Sequence, residues 1–306
     1  MGSPFHPLSD ETRRRLLDAG LDPDAVAALV RMAVAEDLMG GVDVTSVATV
    51  PDGQRSVGTF GCRGYGVLAG MAVAAAAIDA VCGDEASDVL YVIDDGELVA
   101  PGDTVARVTA PTRALLTAER TALNLLCHLS GVATLTHLWA VALDGTGCTV
   151  RDTRKTTPGL RALEKYAVRC GGGQNHRMGL SDAALVKDNH VLAAGGVAQA
   201  FAAVRALEGS IPVEIEVDSL DGLRTAIEAG ADLVLLDNFD LEAMRAAVAV
   251  RDGMDARVRL EASGGLTLEV ARQVGQTGVD HVAVGELTHS AKVLDLGLDL
   301  QAVVTA

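Results

Sequence analysis

The sequence predicts an α/β protein whose C-terminal half is a barrel of parallel strands. After Gly147, at least six short apolar segments alternate with amphipathic helical segments, a pattern typical of repeated strand–helix units. Apolar residues make up 49% of the 306 residues but aromatic residues only 3%, so alanine, valine and leucine must fill the core. Small aliphatic residues of this kind suit helices that pack on parallel strands.

The strands of the predicted barrel are short and apolar, and six in series favour a barrel over an open sheet. They are predicted at 148–152, 182–187, 212–218, 232–237, 257–263 and 280–285. Helices are predicted between most of them, near 158–168, 195–208, 219–229, 240–250 and 267–274. No G-x-G-x-x-G motif follows a strand, so a dinucleotide-binding fold is not predicted.

The N-terminal part is predicted to begin with two helices, the first capped by Asp10 and the second by Asp22. Pro23 suits the first position of the second helix because its missing N–H is not needed there. Short strands follow, interrupted by an alanine-rich helix at about 70–82, and residues 94–108 are predicted to form a hairpin. A long helix from about 112 to 143 is predicted to join the two domains.

The cysteines and the N-terminus predict a soluble cytoplasmic protein. The five cysteines are scattered without a C-x-x-C pair, which fits a reducing compartment and makes a structural metal site unexpected. The N-terminus lacks the pattern of a signal peptide, and no uncharged apolar stretch reaches about 18 residues, so no membrane association is expected.

Residues 151–190 reverse the charge of an otherwise acidic chain. They contain eight Lys and Arg against four Asp and Glu, whereas the whole chain carries a net charge of −16. A cationic segment with embedded glycines indicates a pocket for a small polyanion. Nucleic acid is not an expected partner, because it would need a basic face across the domain.

Each predicted barrel strand ends in polar residues, and the carboxyl ends of parallel strands meet at the mouth of a barrel, where active sites lie. Glu214 and Glu216 share one face of their strand because side chains alternate; the competing interpretation is that they are salt-bridged structural acids. Ser263-Gly264-Gly265, predicted to precede a helix, offers backbone N–H groups to a phosphate, and Gly285 ends the next strand.

His176 and Arg177 follow a triple glycine, which predicts a tightly turned or mobile loop that closes on a ligand. They share the cationic segment with Arg154, Lys155 and Lys187. Arginine suits a bidentate grip on a carboxylate, whereas lysine suits phosphate as a point charge.

With these residues in place, the chain resembles the quinolinate phosphoribosyltransferase family, the carboxylating nicotinate-nucleotide pyrophosphorylases. The matching blocks run in order from about residue 36 to residue 299 and are EDLMGGVDVTS, ERTALNLLCHLSGVAT, DTRKTTPGLR, GGGQNHRMGLSD, LVKDNH, VEIEVDSL, LLDNF, LEASGGL and GELTHSAKVLDLGLD. The combination of DTRKT, NHR and KDNH is highly specific.

The resemblance implies an α/β fold with an N-terminal α/β sandwich domain over residues 1–128, including part of the linking helix. An incomplete α/β barrel of about seven strands follows over residues 129–290, and a tail of residues 291–306 packs back on the N-terminal domain. The resemblance also implies a homodimer, or a higher oligomer, in which the N-terminal region of one subunit closes the barrel mouth of the other.

The implied activity is that of a glycosyltransferase of NAD biosynthesis. It transfers phosphoribosyl from phosphoribosyl pyrophosphate to quinolinate with Mg²⁺, giving nicotinate mononucleotide, pyrophosphate and CO₂. The family pattern assigns the quinolinate carboxylates to Arg154, His176, Arg177 and Lys187, with Arg120 supplied by the partner subunit.

For the second substrate, the pattern assigns Lys155 to the pyrophosphate, and Glu216 and Asp237 to the ribose hydroxyls and the metal. Lys155, Lys187, Glu216 and Asp237 are the expected catalytic residues. The 5′-phosphate pocket and its surroundings are assigned to Ser263, Gly264, Gly265, Val284, Gly285 and His289, with Thr153 also at the substrate. Glu286 is expected at the substrate with them, although it departs from the family, because relatives generally carry a small residue at this position.

Two other functions remain open at this point. One is a protein of the same fold with a changed substrate, either nicotinate or that of the relatives associated with molybdenum transport. The full set of cations, Arg120, Arg154, Arg177 and Lys187, favours the dicarboxylate. The other is a non-catalytic barrel that senses phosphorylated metabolites, which would be expected to lack the pair Glu216 and Asp237.

Overall fold

The computed structural model describes residues 5–83, 87–207 and 211–302. The chain divides into two compact units. The N-terminal unit comprises Met1–Leu135, Pro158–Gly171 and Ala291–Ala306, and the C-terminal unit comprises Thr136–Thr157 and Gly172–Ser290. The predicted fold class is confirmed: one unit contains an antiparallel sheet and the other a parallel sheet with helices.

Within the described ranges, the helices are α1 (Asp10–Asp18), α2 (Pro23–Leu38), α3 (Val44–Thr49), α4 (Met71–Cys82), α5 (Thr112–Leu143), α6 (Arg161–Cys170), α7 (Asp188–Ala194), α8 (Val197–Arg205), α9 (Leu220–Glu228), α10 (Leu241–Met254), α11 (Ala271–Gly275) and α12 (Glu286–His289). The strands are β1 (Arg55–Cys62), β2 (Gly66–Val67), β3 (Asp88–Tyr91), β4 (Leu98–Val99), β5 (Thr104–Pro111), β6 (Thr149–Arg151), β7 (Ala184–Val186), β8 (Val213–Val217), β9 (Leu233–Asp237), β10 (Arg259–Ser263), β11 (His281–Ala283) and β12 (Leu296–Ala302).

The N-terminal unit is built on an antiparallel sheet in the order β12-β1-β5-β3. Phe60 in β1 is fully buried and pairs with Leu298 of β12 and Ala106 of β5. The hairpin predicted for 94–108 is wrong, because β4 pairs with β2 whereas β5 pairs with β1 and β3. Strand β12 adds the chain's tail to this sheet up to residue 302, and residues 303–306 lie outside the described ranges.

The helix ends follow local capping chemistry. Asp22 caps α2 through the N–H of Asp24, at 2.9 Å, and Pro23 is the first helical residue, as predicted. The first helix is capped by Ser9, whose hydroxyl accepts the N–H of Thr12. Asp10, predicted as the cap, is instead the first residue of α1, because the serine one position earlier already has the extended backbone that a cap needs.

Helix α5 matches the prediction closely and is the longest element, with 32 residues. Leu115, Leu126 and Leu129 on it are fully buried. By length and composition alone it passes for a membrane span, but buried leucines of this kind are what the core helix of a folded domain presents. Gly131 lets the chain pass close by, because a Cβ there would lie 2.9 Å from the Cα of Val293.

Helix α6 belongs to the N-terminal unit, although it was predicted between two barrel strands. Its fully buried Glu164 hydrogen-bonds His128 of α5 at 2.8 Å, and the hydroxyl of Tyr166 donates to Asp95 at 2.7 Å. These contacts hold residues 158–171 in the N-terminal unit. The predicted domain boundary at 128/129 falls inside α5 and placed these residues in the barrel domain instead.

The C-terminal unit contains six parallel strands in the order β6-β11-β10-β9-β8-β7, with β6 and β7 at the two edges. About seven strands were expected. In the described part of the chain, the place beside β6 is taken by a single parallel bridge from Arg151 to Gln174. The register aligns the carboxyl ends, pairing Ser263 with Asp237 and Ala283 with Arg151. Polar residues that end neighbouring strands are therefore brought together.

Candidate active site

A cavity of about 720 Å³ lies at the carboxyl ends of the parallel strands. Every residue that lines it belongs to the C-terminal unit. Eleven predicted site residues are among them: Thr153, Arg154, Lys155, His176, Arg177, Lys187, Glu216, Asp237, Ser263, Gly264 and Gly265. The prediction that the strand ends share one mouth therefore corresponds to a real cavity.

Two guanidinium groups in the cavity lack an anionic partner in the described residues. The Nε of Arg154 is buried and has no hydrogen-bond partner there. Arg177 donates to the carbonyl of Ala183 at 3.0 Å. Burial lowers the pKa of Arg177, and the neighbouring charge of Arg154 lowers it further. An anion between the two groups would satisfy the buried donor and relieve this repulsion.

A lysine and a carboxylate form an ion pair on the same wall of the cavity. The Nζ of Lys187, at the end of β7, lies 2.9 Å from Oε2 of Glu216 in β8. Lys155, after β6, is exposed, and its carbonyl accepts the hydroxyl of Thr288 at 2.7 Å. The cavity thus offers both ammonium groups and carboxylates to a charged ligand.

The loop after β10 has a backbone that suits close approach by a ligand. Gly264 has φ +97°, and a side chain there would overlap the side-chain oxygen of Asn238. Gly265 has φ +60°, with open space around it. Asn238 itself is left-handed, φ 56°, and its N–H donates to the carbonyl of Ser263 at 2.8 Å.

The helix predicted near 267–274 is present after this loop, but its first turn is 3₁₀ and its α-helical part is short. Three residues separate Gly264 from the 3₁₀ helix Leu268–Val270, and α11 then has only five residues. The glycine loop lines the cavity without the dipole of a full helix behind it.

The other predicted phosphate-site residues lie beside the cavity rather than on its wall. A Cβ at Gly285 would lie 3.0 Å from Cδ of Lys155 and 3.1 Å from Nε2 of His289. Val284 is buried, and its N–H donates to the carbonyl of Arg151 at 2.9 Å. Glu286 begins α12 and is half-buried.

Arg120 is exposed on α5 and belongs to the N-terminal unit. The residues that line the cavity do not include it. Its predicted role depends on a second subunit and therefore stays a prediction.

Three polar residues of the cavity wall, Asp188, Asn238 and Glu261, were predicted as polar strand ends but not as site residues. Glu261 had a usable signal, because it is a carboxylate within the apolar strand RVRLEAS, as Glu214 is within its own strand. For Asn238 the sequence signal was weak, because it is only the general tendency of asparagine to adopt a left-handed backbone.

At the cavity wall, two buried carboxylates meet a histidine and an arginine. Nε2 of His176 lies 2.6 Å from Oε2 of Glu214 and 3.7 Å from Oε1 of Glu261, and Arg151 pairs with the second oxygen of Glu261. The Nδ1 of His176 accepts the N–H of Arg177 at 2.8 Å. The ring proton is therefore on Nε2, which donates to Glu214, and both nitrogens are engaged within the protein.

This cluster fits proton sharing better than metal binding. The ligand atoms of His176, Glu214 and Glu261 lie within 4.8 Å of one another, close enough for an ion. However, a metal at Nε2 would need the ring proton on Nδ1, where the N–H of Arg177 already points. Burial and the charge of Glu214 instead raise the pKa of Glu261 to about 7.

The raised pKa of Glu261 predicts a pH dependence of stability. The native protein binds this proton more tightly than the unfolded chain, so its contribution to stability is lost as pH rises from about 4.5 to about 7. The melting temperature of the wild type, relative to Glu261→Gln, is expected to fall across this range in differential scanning calorimetry. Glu242→Gln, at an exposed position, serves as the control. A difference that stays constant or grows with pH would contradict this assignment.

Comparison with known proteins identifies the family of both units. Residues 43–130 match the model "Quinolinate phosphoribosyl transferase, N-terminal domain", and residues 132–299 match its C-terminal domain. The chain is 51% identical to a carboxylating nicotinate-nucleotide pyrophosphorylase of Mycobacterium leprae, over 90% of this chain and 98% of that protein.

Solved structures agree with the sequence relatives. The crystal structure of NadC from Streptococcus pyogenes matches with a TM-score of 0.87 and 38% identity, covering 92% of this chain and 99% of that one. The nicotinate-nucleotide pyrophosphorylase from Francisella tularensis matches with a TM-score of 0.85 and 38% identity, over 91% of this chain and 96% of that one.

Proposed function

The chain belongs to the quinolinate phosphoribosyltransferase family, and from this premise we propose that it converts quinolinate and phosphoribosyl pyrophosphate into nicotinate mononucleotide, pyrophosphate and CO₂. This reaction supplies NAD biosynthesis. The observation that carries the proposal is the convergence of Arg154, Arg177 and Lys187 on one cavity, with a buried nitrogen of Arg154 still lacking an acceptor in the described residues.

Quinolinate carries two carboxylates on adjacent ring carbons, and the cavity offers cations for both. Arg154 and Arg177 suit the bidentate grip, and Lys187 adds a point charge that Glu216 holds in place at 2.9 Å. His176 has both ring nitrogens engaged within the protein, so its contribution to quinolinate binding is to orient the segment that carries Arg177.

The opposite side of the cavity suits the second substrate. The N–H groups around Gly264 and Gly265 form a concave anion site for the 5′-phosphate, and Lys155, next to Gly285, faces the pyrophosphate. Glu216 and Asp237 end adjacent strands β8 and β9, where they receive the ribose hydroxyls.

The carboxylates of Glu216 and Asp237 also fit the Mg²⁺ that phosphoribosyl pyrophosphate carries, because Mg²⁺ prefers oxygen ligands of this kind. When bound, Mg²⁺ neutralises charge on the leaving pyrophosphate. Glu216 and Asp237 would hold it, together with oxygens of the substrate.

Catalysis of this reaction depends mainly on where the site places its charged groups. The bond from C1′ to the pyrophosphate oxygen breaks, its electron pair leaves with pyrophosphate, and the pyridine nitrogen bonds to C1′. Glu216 and Asp237 stabilise the positive charge that develops on the ribose, while Lys155 stabilises the leaving group. The bond from the ring carbon to the adjacent carboxylate then breaks and CO₂ leaves. Its electron pair stays on that carbon, stabilised by the cationic ring nitrogen, and the carbon takes up a proton. No nucleophile from the protein is required.

We also propose that the active unit is a homodimer, or a higher oligomer built from it, whose subunits share their sites through Arg120. Arg120→Ala and Arg154→Ala are each expected to be nearly inactive. Mixing and re-folding the two together is expected to restore about one quarter of the wild-type rate, because half of the dimers are mixed and each carries one complete site. A mixture no more active than its components would contradict the shared site.

The proposed location is the cytoplasm. In support, all five cysteines are free thiols, which fits a reducing compartment.

An assay of products tests the proposed reaction. The protein, incubated with quinolinate, phosphoribosyl pyrophosphate and Mg²⁺, is expected to form nicotinate mononucleotide and CO₂ in equal amounts. Nicotinate in place of quinolinate is expected to give little product. Turnover of nicotinate alone would favour the plain nicotinate transferase, and binding of both substrates without turnover would favour a non-catalytic sensor.

A further inference from the structure

We propose that Asp152 is a positioning residue that fixes the spacing of Arg154 and Arg177 and so makes the site selective for a dicarboxylate. The proposal rests on the proposed function and adds a residue that the site assignments above leave out. It is carried by the hydrogen bonds of one buried carboxylate.

Asp152 is fully buried directly after β6. Its Oδ1 accepts the N–H of His176 at 2.8 Å, and its Oδ2 accepts the side-chain amide of Asn175 at 2.6 Å. The backbone adds to this attachment, because Asp152 donates its N–H to the carbonyl of Gln174 at 3.2 Å and Gln174 donates to Val150 at 2.9 Å. One side chain thus fastens residues 174–176 to the edge strand of the sheet.

The two fastened segments carry the two arginines. Arg154 follows Asp152 by two residues, and Arg177 follows His176 by one. The positive charge of Arg154 lowers the pKa of Arg177, so the two guanidinium groups repel each other when no anion lies between them. A loop that follows three glycines would move apart under this repulsion unless it were held. The carboxylate of Asp152 supplies the hold and keeps the pair at a spacing that suits two carboxylates.

An aspartate at position 152 suits this positioning role better than an asparagine would. The N–H of His176 and the side-chain amide of Asn175 both donate to Asp152, and a carboxylate has an acceptor for each. Asparagine at 152 would accept the N–H of His176, but its own amide would then face the amide of Asn175, donor against donor. Exchanging the two residues, as in Asp152→Asn with Asn175→Asp, restores a donor and an acceptor on that contact and preserves the net charge.

Steady-state kinetics on the full-length protein tests the proposal. Asp152→Asn is expected to raise the KM for quinolinate at least about tenfold, with the KM for phosphoribosyl pyrophosphate within about twofold of wild type. Asn175→Asp alone places two carboxylates together and is expected to be impaired as well. The double variant is expected to recover most of the quinolinate KM, which a non-specific effect on folding would not produce.

Failure of the positioning role and failure of the proposed function give different kinetic results. Asn175→Ala removes the hydrogen bond from the Asn175 amide and leaves Asp152 in place. It is expected to raise the quinolinate KM by a smaller factor, and it tests the proposal should Asp152→Asn fail to fold. An unchanged quinolinate KM in folded single variants, or KM values for both substrates that rise together without recovery in the double variant, would overturn the positioning role. A wild-type protein that turns over no quinolinate would instead overturn the proposed function.

Discussion

Replacing Arg154 by alanine is expected to lower kcat/KM for quinolinate at least ~100-fold, equivalent to about 2.7 kcal/mol of transition-state stabilisation. The reason is the proposed contact of Arg154 with a substrate carboxylate, which is supported by its buried Nε, an atom with no acceptor among the described residues. Charge-assisted, bidentate contacts of this kind are among the strongest hydrogen bonds in proteins. Initial rates measured over a range of quinolinate concentrations check the prediction.

Two controls show whether the loss is local. Arg224→Ala removes an exposed guanidinium that pairs with Asp221 on α9, and it is expected to leave the kinetics unchanged. Arg154→Lys keeps the positive charge but loses the planar guanidinium that binds a carboxylate through two N–H groups. Its kcat/KM is therefore expected to lie between that of Arg154→Ala and that of the wild type. A rate for Arg154→Ala near that of the wild type would remove Arg154 from the site.

Replacing Gly264 by alanine is expected to raise the KM for phosphoribosyl pyrophosphate by ~100-fold. Alanine is strained at φ +97°, and its Cβ would overlap the side chain of Asn238, so the loop must move and its N–H groups would no longer converge on the phosphate. Rates measured against phosphoribosyl pyrophosphate at saturating quinolinate give the comparison.

The neighbouring glycine provides a matched control. Gly265 also has a positive φ, +60°, but a Cβ there would meet nothing within 4 Å. Gly265→Ala therefore carries the strain without the overlap, and its KM is expected to change by less than ~10-fold. If the two substitutions raised the KM for phosphoribosyl pyrophosphate equally, the close contact between Gly264 and Asn238 would not be what shapes the site.

The barrel strands and the long helix were predictable because local pattern and tertiary role agree. β9 is an apolar run that ends in Asp237, predicted at 232–237 and found at Leu233–Asp237. Helix α5 was predicted at about 112–143 and is found at Thr112–Leu143, since its apolar spacing is helical throughout. In both, the residues that favour the element are also those that the core buries.

Other elements were not predictable because distant contacts decide them. Helix α6 looks like any barrel helix in the sequence, but Glu164 and Tyr166 bond His128 and Asp95 of the N-terminal unit. Helix α7 was missed because its first residues, Asp188, Asn189 and His190, were interpreted only as a polar strand end. Local sequence does not reveal which partner such polar residues will find.

The same distinction holds for the site. That Arg154 and Lys187 would share a mouth followed from the rule that parallel strands end together, whereas Arg177 was grouped with them through the cationic segment and the family pattern. The bonds that orient them did not, because Asp152 with Asn175, and His176 with Glu214, are each more than 20 residues apart in sequence. Spacing alone therefore predicts which residues gather but not which ones hold the others in place.

Isothermal titration calorimetry of quinolinate and nicotinate against the same protein tests most directly the claim that these cations select a doubly charged pyridine. Quinolinate is expected to bind at least about tenfold more tightly than nicotinate, and Arg154→Ala and Arg177→Ala are each expected to remove most of that preference. Equal affinity for the two acids in the wild-type protein, or a preference that survives both substitutions, would contradict the account.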